Sequence, residues 1–472
     1  MVVGNAPEGA DFVVVGAGPG GYAAALHAAR RGRTVMLIDA NGRDGVGGVC
    51  LNVGCIPSKA LIEAAELFHR AQHSQAMGVP RVTGGFDMSA FQGWKAEVVT
   101  GLTNGVRGLL KAANVEVVAG RAMLTDQQTL VINTPDDQAR FIQFKDCVLA
   151  TGSRPIEVPG LAFGDNIVDS TGALALHSVP KSMAVIGGGY IGLEIGTAFA
   201  KLGSSVSVIE AEERILPAMS ADLAPPLQRR LTELGVQLQT KTRAEGYQAG
   251  KLALAGSEGA KASLEVETVL VAVGRRPNTA DIGLESIGVD LDRHGVIPVA
   301  PDRTITPHIA AIGDITPGPA LAHKATAEAE VAVAALCGET TAFDPMTIPA
   351  VVFTDPEVAT AGLSESEANA AGIDVDVARV PLGASGRAAT LNARNGFAQI
   401  VSDRSDGTIV GVHLVGPHAS DLIAEGVLAI EMSVGLEDLA LTVHPHPTLS
   451  EQLLEAAHLG LGHPVHVQLK KR

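Results

Sequence analysis

Two stretches of the chain repeat one pattern, and that repetition restricts the fold more than any other feature. Asp11-Phe12-Val13-Val14-Val15 is a short apolar strand followed by Gly16-Ala17-Gly18-Pro19-Gly20-Gly21. An alanine-rich helix from Tyr22 to Arg31 comes next, and a second strand, Thr34 to Ile38, ends at Asp39. At Ser182 the pattern returns as Met183-Ala184-Val185-Ile186, then Gly187-Gly188-Gly189-Tyr190-Ile191-Gly192, a helix from Leu193 to Leu202, and Val206 to Ile209 ending at Glu210. Glycines 16, 18 and 21, matched by Gly187, Gly189 and Gly192, allow a tight turn, close approach of backbone to a pyrophosphate, and close packing of helix on strand. The helix N-terminus adds N–H donors for phosphate. In both copies the acid follows the first glycine by 23 residues, from 16 to 39 and from 187 to 210. Two matched units predict two bound dinucleotides. A carboxylate at Glu210 favours a free 2′-hydroxyl and repels a 2′-phosphate, so the second nucleotide reads as NAD; Arg214, close by, is the residue that argues for NADP.

The totals agree with an α/β protein of several domains. A chain of 472 residues exceeds one ordinary core. A formal charge of −16 argues against nucleic acid as the main partner, because phosphate binding needs a basic surface. Met1 to Asp11 has neither a basic region nor an apolar segment of signal length, and apolar runs such as Val269 to Val273 are far short of a membrane span. Four cysteines in so long a chain do not make a disulfide framework, which predicts a reducing cytoplasm.

Two of those four lie in Gly47-Gly48-Val49-Cys50-Leu51-Asn52-Val53-Gly54-Cys55-Ile56-Pro57-Ser58-Lys59. A disulfide needs its Cα atoms within roughly 7 Å, whereas positions i and i+5 of a regular helix lie about 8 to 9 Å apart. Cys50 and Cys55 can pair only if the turn is bent, and Gly54 and Pro57 permit bending. So short a loop adds little stability and leaves the bridge easy to reduce, which points to redox chemistry. The alternatives are two buried free thiols or half of a metal site, but no further Cys or His stands nearby at ligand spacing, and no metal site is predicted.

Elsewhere, Asp87 to Ala112 reads as a helix with Trp94, Val98 and Leu102 on one face, and the spacing predicts that the lone Trp is core. Val115 to Val118 and Thr129 to Ile132 read as short strands. Asp146 to Ala150 is a buried strand running into Thr151-Gly152, with Cys147 as a small core residue, and Thr268 to Val273 repeats that exit into Gly274. Ala310 to Ile312 is a short strand ending at Gly313-Asp314, before a helix from about Ala320 to Leu336 that ends at an inert Cys337. Asp314 either caps its turn or holds a ribityl hydroxyl of FAD, and the helix N-terminus near Ala322 and His323 is placed to stabilise a negative flavin. From Pro349 the texture changes to antiparallel strands, Val351 to Phe353, Val375 to Val380, Gly396 to Val401 and Thr408 to Val415, with helices near Ser364 to Ala371, Ala419 to Met432 and Leu436 to Ala440. This third domain ends in His444-Pro445-His446-Pro447-Thr448-Leu449-Ser450-Glu451, where Glu451 either caps a helix behind Thr448 or orients His446.

Taken together, these motifs resemble the class I pyridine nucleotide-disulfide oxidoreductases over nearly the whole chain, from Phe12 to Glu451. The most specific part is Cys50 to Lys59; Gly187 to Gly196 with Glu194, Gly274 to Asn278, Gly313-Asp314, Ala322-His323-Lys324 and His446 to Glu451 support it. The resemblance implies two Rossmann-like dinucleotide-binding domains plus a C-terminal α+β dimerisation domain. Residues 1–155 would form the first part of the FAD-binding domain, 156–280 the NAD-binding domain, 281–348 a second, central part of the FAD domain, and 349–472 the interface. FAD would meet Gly16, Gly18, Gly21, Asp39, Lys59, Thr151, Gly152, Asp314 and Ala322, and NAD would meet Gly187, Gly189, Gly192, Glu210 and Gly274.

The resemblance further implies that Cys50 exchanges with substrate while Cys55 faces the flavin. Lys59, paired with Glu194, would lie behind the flavin. His446, held by Glu451, would be the base and serve the other subunit of a homodimer. The implied reaction oxidises a dihydrolipoyl group, carried by an acyltransferase or other carrier protein, with NAD⁺. Glutathione-type relatives would want basic residues where Glu210 stands, mercury-reducing ones a cysteine pair in the Gly462 to Arg472 tail, and transhydrogenases would lack one of the two cysteines. A docking component of a multienzyme assembly is the alternative of another class. Three positions depart from the pattern: Val49 in place of Thr, Pro445 in place of Ala, and Asp39 in place of Glu. A cis bond at Pro447 is also implied.

Overall fold

The computed structural model describes residues 7–469. The ends of the N-terminal stretch and of the C-terminal tail lie outside those residues.

Apolar runs bounded by glycine make the strands of two parallel sheets. In the first, Glu8–Val15 lies between Val35–Asp39 and Ala139–Leu149, with Glu116–Ala119 and Ile309–Ala311 outside them. Strands Arg121–Asp126 and Thr129–Asn133 extend this sheet antiparallel beyond Ala139–Leu149, and Thr304–Thr306 closes its other edge. In the second sheet, Ser182–Ile186 lies between Ser205–Ile209 and Thr268–Val271, flanked by Gln237–Gln239 and Ile167–Val168. Phe12, Val13 and Val14, like Met183, Ala184 and Val185, have no solvent exposure. Such continuous apolar runs belong to strands covered on both faces. A meander, Arg243–Gln248, Lys251–Ala255 and Lys261–Glu265, covers one face of the second sheet. Its short, mostly polar strands carry little periodic signal, and sequence patterning does not reveal it.

The third sheet is antiparallel, in the order Ala350–Val352, Glu357–Gly362, Ile409–Gly416, Phe397–Asp403, Val375–Pro381. Helices Ala419–Glu431 and Glu451–Gly460 pack on it through Ile423, Ile430, Leu453 and Ala457. The expected class, two Rossmann-like units plus a C-terminal α+β unit, is what the chain adopts. No helix among the described residues is long and apolar enough to cross a membrane.

The expectation for Trp94 is corrected. Met88–Ala112 is a helix, but its buried face carries Met88, Phe91, Thr103 and Leu110. Trp94 and Leu102 are 45% and 43% exposed. Two of the three residues in the i, i+4, i+8 stripe point outward, with Val98 half-buried, and the Trp94 ring lies 6.2 Å from that of Phe91 between centroids.

Candidate functional site

The two glycine turns are built alike, atom by atom. Gly16 donates to the Ile38 carbonyl at 2.7 Å and Gly187 to the Ile209 carbonyl at 2.8 Å. Both take positive φ, +102° and +106°. A Cβ on Gly21 would stand 1.7 Å from the Gly16 carbonyl oxygen, and one on Gly192 would stand 2.3 Å from that of Gly187. A Cβ on Gly18 or Gly189 would meet nothing within 4 Å. The first and third glycines of each unit are therefore demanded by the protein itself. The second faces open space, as close approach of a pyrophosphate requires. Each acid braces its own turn: Asp39 Oδ2 accepts from Ala17 N at 3.1 Å, and Glu210 Oε2 accepts from Gly188 N at 2.6 Å. Arg214 donates to the carbonyls of Leu216, Pro217 and Met219, so its guanidinium is spent on its own turn.

The cysteine segment sits on the first turn. Gly47 donates to the Ala17 carbonyl at 2.8 Å, and Gly48 lies so close to Gly18 that a Cβ there would be 2.6 Å from the Gly18 Cα. A short helix, Gly48–Asn52, is stapled by Asn52 Nδ2 donating to the carbonyls of Val46 and Gly48. It breaks at Val53-Gly54, and a new helix runs Cys55–His73. Gly54 comes so near Val49 that a Cβ would be 2.9 Å from its carbonyl oxygen. This is the bend that the two cysteines require. Both are free thiols here, with their side chains in hydrogen-bond contact. The Cys50 thiol donates to Cys55 and, with help from the Lys59 charge and against burial, lowers the Cys55 pKa to about 7. Cys50 is pushed well above the usual thiol range by that same contact and by burial. The arrangement singles out Cys55 as the thiolate.

One turn after Cys55, Lys59 Nζ donates to Glu194 Oε2 at 2.8 Å. Glu194 is buried on the helix Tyr190–Lys201 of the second unit, and its Oε1 accepts from Phe353 N at 2.9 Å. A cavity of about 450 Å³ opens between these parts, of a size typical for cofactor sites. Gly16, Gly18, Asp39, Cys50, Cys55, Lys59, Thr151, Gly152, Glu194, Asp314 and Ala322 all line it, with Gly21 packed behind Gly16. Asp314 accepts from Ser153 Oγ at 2.6 Å, and Arg275 Nε donates to that same Oγ at 2.7 Å. Sequence reasoning does not single out Ser153 or Phe353, and it leaves Arg275 inside a motif without a role. Gly187, Gly189, Gly192, Glu210 and Gly274 lie outside the cavity, around the second turn.

His446 and Glu451 also lie outside it. His446 Nδ1 meets Glu451 Oε1 at 2.8 Å, and Glu451 Oε2 accepts from Thr448 N at 2.7 Å. Glu451 therefore braces the turn and orients the histidine with one carboxylate. Burial raises its pKa, but the Thr448 N–H and His446 outweigh this and hold it below the usual range. The His446 side chain is 77% exposed, and its peptide bond to Pro447 is cis. Within one chain the fold does not bring this pair to the cysteines.

A bent dithiol and a Lys59–Glu194 pair on a cavity that ends at one glycine turn, with a second glycine turn beyond it, define a nucleotide-dependent dithiol oxidoreductase. Residues 10–329 match the family described as "Pyridine nucleotide-disulphide oxidoreductase" and residues 348–457 its dimerisation domain. The chain belongs to this family, whose members use FAD and NAD(H), and the second match supports a homodimer. It is 47% identical to a dihydrolipoyl dehydrogenase of Geobacillus stearothermophilus over the full length of both chains. It is 43% identical to that of Bacillus subtilis, covering 99% of this chain and 100% of the relative. Among solved structures it is similar to LpdA from Mycobacterium tuberculosis, with a TM-score of 0.87, 28% identity, and 95% and 99% of the two chains covered.

Proposed function

We propose that this chain is a dihydrolipoyl dehydrogenase, oxidising a dihydrolipoyl group to lipoyl with NAD⁺ as acceptor. The observation that carries the reading is the Cys50–Cys55 pair, on a helix broken so that both sulfurs meet, facing a cavity that ends at the first glycine turn. Full-length relatives named dihydrolipoyl dehydrogenase support the choice of substrate. The cavity suits FAD: Gly18 leaves room for a pyrophosphate, Asp39 lies at the strand end for a ribose, and Asp314 for a ribityl hydroxyl. When bound, that group supplies a two-electron carrier between the thiols and NAD⁺.

In the resting disulfide, Cys50 is the sulfur that substrate attacks. A substrate thiol gives its proton to the partner subunit's His446 at Nε2, the nitrogen left free by Glu451. The resulting thiolate attacks Cys50 Sγ, forming a mixed disulfide and breaking the Cys50–Cys55 bond, so that Cys55 leaves as thiolate. The second substrate thiol attacks the substrate sulfur of the mixed disulfide, closing the lipoyl ring and breaking the bond to Cys50 Sγ; its own proton passes to the released Cys50, while the first stays on the partner's His446. Cys55 is the better leaving group because the Lys59 charge favours its anion; once Cys50 is released as a thiol, its S–H adds to that stabilisation. Glu451 stabilises the imidazolium formed meanwhile, as a carboxylate does in catalytic triads. Since His446 stands on the dimerisation domain and outside its own chain's cavity, activity requires the dimer. The carrier of the dihydrolipoyl group is an acyltransferase or lipoyl protein, and the cycling dithiol suits a reducing cytoplasm.

The test is a steady-state comparison of dihydrolipoamide with NAD⁺ against glutathione disulfide with NADPH. Robust activity only with the first pair is expected. Cys50→Ser should lower it by roughly four orders of magnitude, as loss of a nucleophile does, and His446→Ala by roughly 10² to 10⁴. NADH oxidation by an external dye should persist in both variants. Activity of Cys50→Ser near that of the parent would reject the reading.

A further inference from the structure

Lys59 and Glu194 come from the two nucleotide-binding units, yet the group that fixes their geometry comes from neither. Phe353 follows the first strand of the C-terminal sheet, Ala350–Val352. Its backbone N–H donates to Glu194 Oε1 at 2.9 Å, while Lys59 Nζ lies 4.3 Å from the centroid of its ring. The ammonium is thus held between a carboxylate oxygen and an aromatic face. The segment behind Phe353 is anchored twice more. Thr354 Oγ1 donates to the Pro356 carbonyl, and Asp355 Oδ2 pairs with Lys201 Nζ and Arg230 Nε, each at 2.8 Å. Lys201 ends the same helix that carries Glu194, so residues 353–355 are fixed to that helix at two points, seven positions apart.

We infer that Phe353 is a positioning residue for the dithiol chemistry: the C-terminal domain uses its ring and its N–H to hold the Lys59 charge at one place beside Cys55. The inference rests on the dithiol reading of the site given above and adds to it a third domain's part in setting the charge. A cation over an aromatic face is attracted by the ring quadrupole, the more so when partly desolvated. A leucine of similar bulk would keep the N–H contact and most of the packing but lose the quadrupole. Tyrosine would keep it.

The consequence is read at Cys55 and at the flavin. Cys55 faces Cys50 from the short helix, Lys59 on its own helix, and Glu194 and Tyr190 on the helix of the second unit; Asp314 acts on Cys50 from the strand end opposite. Of these, Lys59 is the one that the Phe353 ring restrains, while the backbone N–H holds Glu194. A Lys59 that wanders towards solvent stabilises both the Cys55 thiolate and the electron-rich flavin less.

The experiment uses reduced holoenzyme. Iodoacetamide alkylation of Cys55 is followed against pH, and the flavin midpoint potential is measured by dye equilibration. In Phe353→Leu the alkylation inflection should move up by about half a pH unit, and the potential should become more negative. Phe353→Tyr should restore both. Phenylalanines of rising fluorine content at position 353 keep the shape and weaken the quadrupole, so they should move both readouts in graded steps; this series decides the matter if Phe353→Leu does not fold. Unchanged readouts in Phe353→Leu, an equal shift in Phe353→Tyr, or no gradation with fluorine would overturn the inference. An enzyme that shows the graded shift yet cannot oxidise dihydrolipoamide would keep this inference and refute the proposed function.

Discussion

The two nucleotide-binding units share strand order, glycine turn and acid spacing, but their chains take different routes after the acid. Beyond Glu210 the second unit returns to its sheet by a short stretch and one helix, Ala224–Glu233. Beyond Asp39 the first unit makes a long excursion before Glu116–Ala119 rejoins the sheet, and that excursion holds the cysteines, Lys59 and the helices Cys55–His73 and Met88–Ala112. A common scaffold with a glycine turn recurs in each unit, and the dithiol segment is a graft on one of them. The graft reaches back to its own turn through Gly47 and Gly48, and across to the second unit through Lys59 and Glu194. That bridging explains why the cavity lies between the units.

If this division is right, one lesion placed in both units should have unequal effects. Gly21→Ala drives a Cβ into the Gly16 carbonyl, beneath the turn that carries the cysteine segment. We expect loss of at least about 3 kcal/mol of stability, with protein that does not retain FAD. Gly192→Ala makes the same clash in the second unit and should leave a yellow protein that binds NADH poorly. Absorbance in the visible flavin band with NADH titration checks both. Equal loss of flavin in the two variants would break the comparison.

The graft has its own internal asymmetry. Because the Cys50 contact is the largest cause lowering Cys55, Cys50→Ala should raise the Cys55 inflection from about 7 towards the ordinary thiol range near 8.5. The sign follows from removing a donor that stabilised the charged form: below the new inflection the thiol is protonated and alkylates slowly. An alkylation profile unchanged from the parent would mean that Lys59 alone sets the thiolate.

Both turns and the cysteine bend were legible in the sequence, because each rests on local demands: a positive φ, a missing Cβ, a break in a helix. Asp314 was marked by its place at a strand end, with two readings open, and Lys59 with its partner Glu194 came from the family resemblance. Trp94 was misread because helical spacing shows that a stripe exists and not which way it faces. Phe353 was invisible. Its value comes from contact with Lys59 and Glu194, 294 and 159 residues away, and no local pattern marks it. The motif around His446 left Glu451 between capping a turn and orienting the histidine, and the structure has it doing both, while the base role came from the family resemblance.

The second unit can be sharpened at its acid. Glu210→Gln keeps an acceptor for the Gly188 N–H, gives up the one for the Glu212 N–H, and removes the charge that repels a 2′-phosphate. A change of about tenfold in the ratio of NAD⁺ to NADP⁺ specificity constants is expected, the worth of roughly 1.4 kcal/mol. Asp39→Asn, the matching change in the first unit, should leave that ratio alone.

Arg214 gives the smallest effect and the finest test of the same comparison. By position it is a cation suited to a 2′-phosphate, but its guanidinium donates to three carbonyls, those of Leu216, Pro217 and Met219. Arg214→Gln should therefore leave the NAD⁺ to NADP⁺ ratio within about twofold of the parent while costing about 1 to 2 kcal/mol through unmet carbonyl acceptors. Thermal melts read the cost and steady-state assays with both nucleotides read the ratio. A ratio that moves while the melting temperature stays fixed would mean that the arginine leaves its turn to meet the nucleotide. The second unit's choice of cofactor would then rest on a mobile cation, and no longer on the Glu210 carboxylate alone.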